Sequence, residues 1–342
     1  MSGRNVSKIT VFLSLLFISF IGVFPQDHKE TSLRIMFYNT ENLFDTYDDT
    51  LKDDDEFLPG GLRRWTYTRY KRKVNSIFKV IMAAGEWSPP ALVAFCEIEN
   101  RKVLEDIIYG TYLSKFGYDI IHEESPDPRG IDVCLIYRKD QIGFIDYSYL
   151  VPSSFNEEDF ASRSVLYAKC GIFTDTVHLF VNHWPSRRGG VLAGEEHRRI
   201  IAEMVRNKAD SISDASEGGA KIMFIGDFNA TPEDNVMKVL TESHDSGAVM
   251  INLSENAVSA DGTYRYMGTW EMIDQVLVSD MVLKSGKGLT AGSGSIHVFR
   301  PDFLLRNDPK YPGVSPFSTY SGYRYLGGFS DHLPVLIDLI VK

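Results

Sequence analysis

Gly226-Asp227-Phe228-Asn229 sets two polar side chains at fixed separation directly after the apolar run 222–225, and Asn182-His183 follows the run 178–181. Glu97 follows the run 92–95, Asn39 follows 33–38, Asp274 stands at the start of 273–278, and Asp331-His332 directly precedes a last apolar stretch. Taken singly, each has a structural reading: Asn39 as a turn residue, His183 as a satisfied core histidine, Asp331-His332 as a capping pair. Together they suit hydrolysis of a phosphate ester. That reaction builds negative charge on phosphoryl oxygens and on the leaving oxygen, and a hard divalent cation with positioned imidazoles stabilises it. Glutamate, asparagine and aspartate oxygens favour magnesium, with manganese or calcium as alternatives, over zinc.

Such a set works only if rigid elements bring it together. Short apolar strands are expected at 33–38, 91–95, 133–137, 165–170, 178–181, 221–225, 273–278 and 333–341, with helices at about 69–84, 101–114 and 193–208, the second capped by Asn100. This is a mixed α/β pattern. Almost every polar residue of interest stands at one end of a buried strand, so groups distant in sequence converge on one rim of a sheet. The glycine- and serine-rich stretch 211–219 reads as a surface loop within one domain, and 45–66 and 299–328 read as long ordered loops.

The chain has 342 residues, 44% hydrophobic and 12% aromatic, a globular composition. Its formal net charge of -10 excludes whole-protein attraction to a polyanion, so any affinity for nucleic acid must come from a local patch. At the N-terminus Arg4 and Lys8 precede the uncharged apolar run 9–24, broken by Pro25, Gln26 and Asp27. Residues 1–26 therefore read as a secretory signal or N-terminal anchor, since the run falls short of the ~20 residues a membrane span requires. A secreted or periplasmic protein follows, with residues 31–342 as one domain and membrane contact only through an uncleaved N-terminal segment. Cys96, Cys134 and Cys170 sit in apolar runs with no disulfide or zinc spacing.

In this order the motifs Phe37-Tyr38-Asn39-Thr40-Glu41-Asn42, Cys96-Glu97-Ile98-Glu99-Asn100, Val181-Asn182-His183-Trp184, Gly226-Asp227-Phe228-Asn229 and Ser330-Asp331-His332-Leu333-Pro334 resemble the endonuclease/exonuclease/phosphatase superfamily, which includes deoxyribonuclease I. The resemblance covers essentially the whole chain from Leu33. It implies a four-layer α/β sandwich, two mixed β-sheets packed face to face and flanked by helices. It further implies that Asn39, Glu97 and Asp331 surround the metal, that Asp227 and Asn229 orient the attacking water, and that His183 and His332 flank the phosphate. Asp274 would hold the imidazole of His332, and Arg163 matches a position near the phosphate. The sequence departs from nuclease-like members at Cys96, where glutamine is usual, and at Asp132, a carboxylate that repels a polyanion unless it turns inward.

Arg187 and Arg188, in a glycine-rich loop after His183, are candidate phosphate clamps beside Asn182. Arg63, Arg64 and Trp65 form a second basic and aromatic cluster; Arg300, Tyr320, Tyr323, Arg324 and Tyr325 form a third. Such clusters suit bases, sugars and lipid head groups alike. The acidic run Asp48, Asp49, Asp53, Asp54, Asp55, Glu56 lacks calcium-loop spacing and reads as a solvated loop. Three functional readings stand: first a nuclease or phosphodiesterase, second a phosphatase or phospholipid phosphodiesterase, third a secreted binding protein that lost catalysis. The expected partner is a phosphate-ester substrate, nucleic acid among the candidates, and no stable protein partner is inferred.

Overall fold

In this computed structural model the described residues are 31–152, 162–187, 194–242, 247–256, 262–284, 286, 288–292 and 294–341. The expected export segment 1–26 lies outside them. The chain runs β1 (Thr31–Leu43), α1 (Tyr67–Ala84), β2 (Leu92–Ile98), α2 (Arg101–Tyr109), β3 (Tyr118–Ile121), β4 (Asp132–Arg138), β5 (Ile142–Leu150), β6 (Val165–Ile172), β7 (Asp175–His183), α3 (Glu195–Ala215), β8 (Lys221–Asp227), α4 (Asn235–Thr241) and β9 (Met250–Asn252). A hairpin of β10 (Tyr264–Tyr266) and β11 (Thr269–Glu271) leads into β12 (Asp274–Ser279), α5 (Asp280–Lys284), β13 (Leu289–Thr290) and β14 (Ile296–Val298). Two further hairpins, β15 (Leu305–Asn307) with β16 (Val314–Pro316) and β17 (Tyr320–Ser321) with β18 (Arg324–Tyr325), precede β19 (Val335–Val341).

One sheet has the order β13-β19-β1-β2-β4-β3, with β14 also on β19; the other has β5-β6-β7-β8-β12-β9. Each contains one parallel pair, β1 with β2 and β7 with β8, whose crossovers carry α1 and α3. Strand alternation then makes the layers. Leu33, Ile35 and Phe37 of β1 face Met223 and Ile225 of β8 in a core between the sheets. Met36 and Tyr38 turn the other way onto Val74, Ile77 and Ile81 of α1. Ile222 and Phe224 turn outward onto Ile201, Val205 and Leu240 of α3 and α4. The result is the four-layer sandwich, helix on sheet on sheet on helix.

The sequence reading is corrected in detail at residues 211–215 and 110–114. Residues 211–215 continue α3 because Ser213 is buried and Ile212 packs on the outer core; the helix stops where Gly218, at φ +79°, bonds back to Ser213 O at 2.8 Å. The loop 45–66 is tied down by Trp65, whose indole N–H donates to Phe44 O at 2.8 Å. The helix expected over 101–114 ends at Tyr109, and Gly110 caps it. Asn100 does cap that helix, accepting from Val103 N–H at 3.0 Å. Among the described residues no helix is long and apolar enough to cross a membrane.

Arg206 ties the outer layer together. Buried on α3, it donates to Leu240 O at 2.8 Å and Ala248 O at 2.7 Å and pairs with Asp210 at 2.9 Å. Arg206→Met leaves two carbonyls and a carboxylate without their donor, so a loss of about 3 kcal/mol is expected. Asn100→Ala, which removes one cap, should cost about 1 kcal/mol. Urea unfolding of the two variants checks the ranking; equal losses would mean that Arg206 holds nothing a methionine cannot.

Candidate active site

The registers of three neighbouring strands set the catalytic candidates level with one another. His183 on β7 is opposite Asp227 on parallel β8, and Asp274, at the start of antiparallel β12, is opposite Asp227 on its other side. Gly226 is required just before Asp227. A Cβ there would stand 2.3 Å from Asn182 O, so only glycine lets the two strands close. Past the strand, Asn229 takes a left-handed conformation (φ +47°), sends its N–H to Asp227 Oδ1 at 2.9 Å, and donates from Nδ2 to Trp184 O at 3.0 Å.

The other sheet contributes through a paired irregularity. Pairing between β1 and β2 shifts register between Asn39 and Leu43, and pairing between β2 and β4 shifts between Phe95 and Ile98. Glu41, Asn42 and Glu97 all have φ between +51° and +60°, an unfavourable region for non-glycine residues. The bulge re-aims Glu97 toward the rim. Thr40 Oγ1 holds it there, lying 2.9 Å from both Cys96 O and Glu97 O, while Asn42 N–H donates to Glu97 Oε2 at 2.8 Å. Across the seam between the sheets, Asn39 Nδ2 donates to Asp227 Oδ2 at 3.1 Å.

The two imidazoles are held in opposite charge states. His332 Nδ1 lies 2.7 Å from Asp274 Oδ2, and burial, which pushes its pKa down, is outweighed by Asp274, Asp227 and Asp331, leaving it well above the ordinary value. The three carboxylates thus favour the imidazolium. His183 is pushed well below the ordinary value by burial, with Arg163, Arg129 and His332 adding to the effect. Its Nε2 lies 3.2 Å from Arg163 Nη2, and a guanidinium can only donate, so Nε2 accepts and the proton is on Nδ1. Between them burial raises Asp227 to about 7, with Asp274 and Glu97 adding and His332 opposing.

A cavity of about 370 Å³ opens over this floor. Glu97, His183, Asp227, Asn229, Asp331 and His332 line it, as do Arg163 and Arg187; Asn39 and Asp274 lie beneath. Arg163 is buried and anchored by Asp127 Oδ2 at 3.1 Å and Trp184 O at 3.0 Å. Arg187 pairs with Glu271, closing one wall of the cavity. Arg188 lies outside the described residues. Asn182 is corrected: it is fully buried, donating to Phe180 O at 3.1 Å and accepting from Trp184 Nε1 at 3.1 Å, so its amide is consumed under the rim and binds no substrate. Asp132 turns inward to His122 Nε2 at 3.0 Å and Ser125 N–H at 2.8 Å, which removes the repulsion expected of it.

The sequence missed Arg129, Tyr264, Tyr266 and Glu271, which also line the cavity. It missed Glu41 and Lys73 too. Glu41 accepts the backbone N–H groups of Thr319 and Tyr320, and buried Lys73 donates to Thr319 Oγ1 and Phe329 O, so both fasten the segment before His332. Nothing in local pattern marks these; a buried lysine on the apolar face of α1 was the available signal.

The rim fits a hard divalent cation. Glu97 and Asp331 both face the cavity, burial raises the pKa of Asp331, and the charge of Glu97 raises it further, a crowding that a cation offsets. Asn39 Oδ1 accepts from Glu41 N–H at 2.9 Å and keeps a second lone pair. Among the described residues, possible ligand atoms of Cys96, His183 and Asp227, and of Asp227, Asp274 and His332, lie within 4.8 Å of one another.

Residues 34–341 match a family model described as "Endonuclease/Exonuclease/phosphatase family". No curated protein sequence matches the chain. Among solved structures, a Bacteroides vulgatus endonuclease/exonuclease/phosphatase superposes with a TM-score of 0.55 at 18% identity, covering 92% of this chain and 100% of that one. A Bacteroides thetaiotaomicron mannosyl-6-phosphatase gives 0.56 at 15%, covering 90% and 99%. D. rerio TDP2 complexed with a single-strand DNA product gives 0.54 at 14%, covering 91% and 99%. At these identities the likeness is one of fold.

The Asp274–His332 pair makes a pH prediction. Since folding raises the His332 pKa, the pair stabilises the protein fully below the unfolded value of about 6.5 and the stabilisation is lost as pH rises through the folded value. In metal-free Asp274→Asn the imidazolium should titrate at lower pH by NMR, and the stability deficit against wild type should be largest below pH ~6.5 and shrink above it. An unchanged imidazole titration would show that Asp274 does not hold the charge.

Proposed function

Because the chain belongs to the endonuclease/exonuclease/phosphatase family, whose members are in general hydrolases of phosphate esters, we propose that it cleaves a compact or terminal phosphate ester by in-line attack of water with the aid of magnesium. The observation that carries this reading is the floor of the cavity, where one charged and one neutral imidazole flank a buried carboxyl raised to about 7. Glu97 and Asp331, with Asn39 beneath, would hold the cation, which supplies charge neutralisation at the phosphoryl oxygens. Asp227, kept in place by Asn39 and Asn229, takes the proton of the attacking water. His332 Nε2 stands 3.9 Å from Asp227 Oδ2, too long for a direct bond, so the imidazolium N–H would serve a phosphoryl oxygen bound in the cavity. Arg163 fixes the tautomer of His183 and adds positive charge beside the phosphate.

Phosphodiester cleavage led the sequence reading; the placement of the arginines favours the compact ester. Arg63 lies over Phe57 at 4.8 Å and Tyr320 at 5.1 Å, Arg69 over Tyr325 at 4.3 Å, and Arg300 over Trp270 at 4.2 Å. Arg187 is spent on Glu271. Cations committed to rings and a carboxylate are poorly placed to follow a nucleic-acid backbone. The mannosyl-6-phosphatase among the structural neighbours agrees with this class. The second reading, cleavage at the end of a single strand, is favoured by the rings of Tyr264 and Tyr266 at the cavity and by the inward turn of Asp132. Export, and hence an extracellular or periplasmic substrate, belongs to the same proposal and rests on residues 1–26.

Parallel assays on a sugar phosphate, p-nitrophenyl phosphate, a single-stranded oligonucleotide, plasmid DNA and sphingomyelin, with and without magnesium, test the proposal. Phosphate release from the first two, lost on chelation and lowered roughly 10²–10⁴-fold in Asp227→Asn and His332→Ala, is expected. Cleavage confined to the oligonucleotide would establish the second reading, and near-full activity in both variants would remove the assignment.

A further inference from the structure

The acidic run is not the uniformly solvated loop that its composition suggests. Asp48 and Asp55 are exposed, but Asp54 is 2% exposed, and oxygens of the three lie within 4.8 Å of one another. Asp54 Oδ2 accepts from Asp49 N–H at 3.1 Å, whereas Oδ1 is buried and has no partner. A buried carboxylate oxygen left unpaired is costly, and a bound cation is one of the few ways to satisfy it. Lys52, two residues before Asp54, is committed elsewhere: its Nζ donates to Ser125 O at 2.7 Å and to Asp127 O at 3.0 Å.

We propose that Asp48, Asp54 and Asp55 form a second divalent-cation site, of calcium type, apart from the catalytic cavity. Calcium fits better than magnesium. It accepts six to eight oxygen ligands in flexible geometry, where magnesium demands a near-ideal octahedron. Exposed Asp48 and Asp55 leave room for water to complete six to eight ligands. The loop has work for an ion to do. Asp53 N–H bonds Pro128 O at 2.8 Å and Lys52 grips Asp127 O, so the segment that presents Asp127 to Arg163 is fastened to this loop. Calcium here steadies the arginine wall of the cavity without touching the substrate.

The test uses the full chain with Glu97→Gln in every protein, to remove the carboxylate on which the catalytic cation depends. Terbium luminescence, sensitised by nearby Tyr47, and the rise in Tm on adding calcium are read for this background, for Asp48→Asn with Asp55→Asn, and for Asp54→Asn. Saturable binding in the background, weakened at least tenfold in both sets of variants together with loss of the calcium-dependent Tm rise, is the expected result. Asp48 and Asp55 are exposed, so their variants retain the fold even if Asp54→Asn does not. Binding equally tight with Asp48 and Asp55 replaced would overturn the site, as would absence of binding in the Glu97→Gln background.

Discussion

A carboxyl buried at the seam of two sheets needs donors from both, and Asp227 has them: the amide of Asn39 from one sheet and the N–H of Asn229 from its own. The cost of keeping a carboxylate out of water is what raises Asp227 to about 7, and the same burial pushes His183 toward neutrality. Asp274 takes the opposite part. It couples to His332 at 2.7 Å and keeps that imidazole charged in spite of burial. Within one small region the chain thus holds a proton acceptor, a neutral ring and a cation, a separation that exposure to bulk water would erase.

The apolar layers make that separation durable. Three buried clusters fix the two sheets against each other and against α1, α2, α3 and α4, so the strand ends are fixed points. The rim tolerates what the interior does not: three non-glycine residues with positive φ stand in the bulge of β1 and β2, at roughly 1–3 kcal/mol each. Thr40 gives the freed carbonyls a donor, and Glu97 gains an orientation that regular pleating would deny it.

The strand-end residues were legible in sequence because alternation and run length mark buried strands, and a polar residue at the end of such a strand reaches a rim. Asp274 was legible as a partner of His332 only through family resemblance; the 2.7 Å contact depends on β12 running antiparallel to β8, which no local pattern encodes. Asn182 looked like its neighbour His183. Adjacent strand residues point to opposite faces, and Asn182 falls on the side where Trp184 and two carbonyls consume it. Asp54 was misread for the same reason, and the direction of Asp132 stayed open, since composition reports charge but not the direction in which a side chain turns.

His332 and Asp331 themselves are not placed by a strand, and their position depends on contacts distant in sequence. Ser330 Oγ donates to Asn39 O at 2.8 Å and accepts from His332 N–H at 3.1 Å, so the turn is pinned to the bulge of β1. Upstream, Glu41 and Lys73 grip the chain at Thr319, Tyr320 and Phe329 from opposite charges, each satisfying backbone groups that a loop would otherwise show to water. Glu41 lies in that bulge and Lys73 on the buried face of α1, so the strained backbone that aims Glu97 also anchors the segment that carries Asp331 and His332. Relaxing it would displace cation ligand and imidazolium together, which is a physical reason for a fold to keep an unfavourable backbone at this rim.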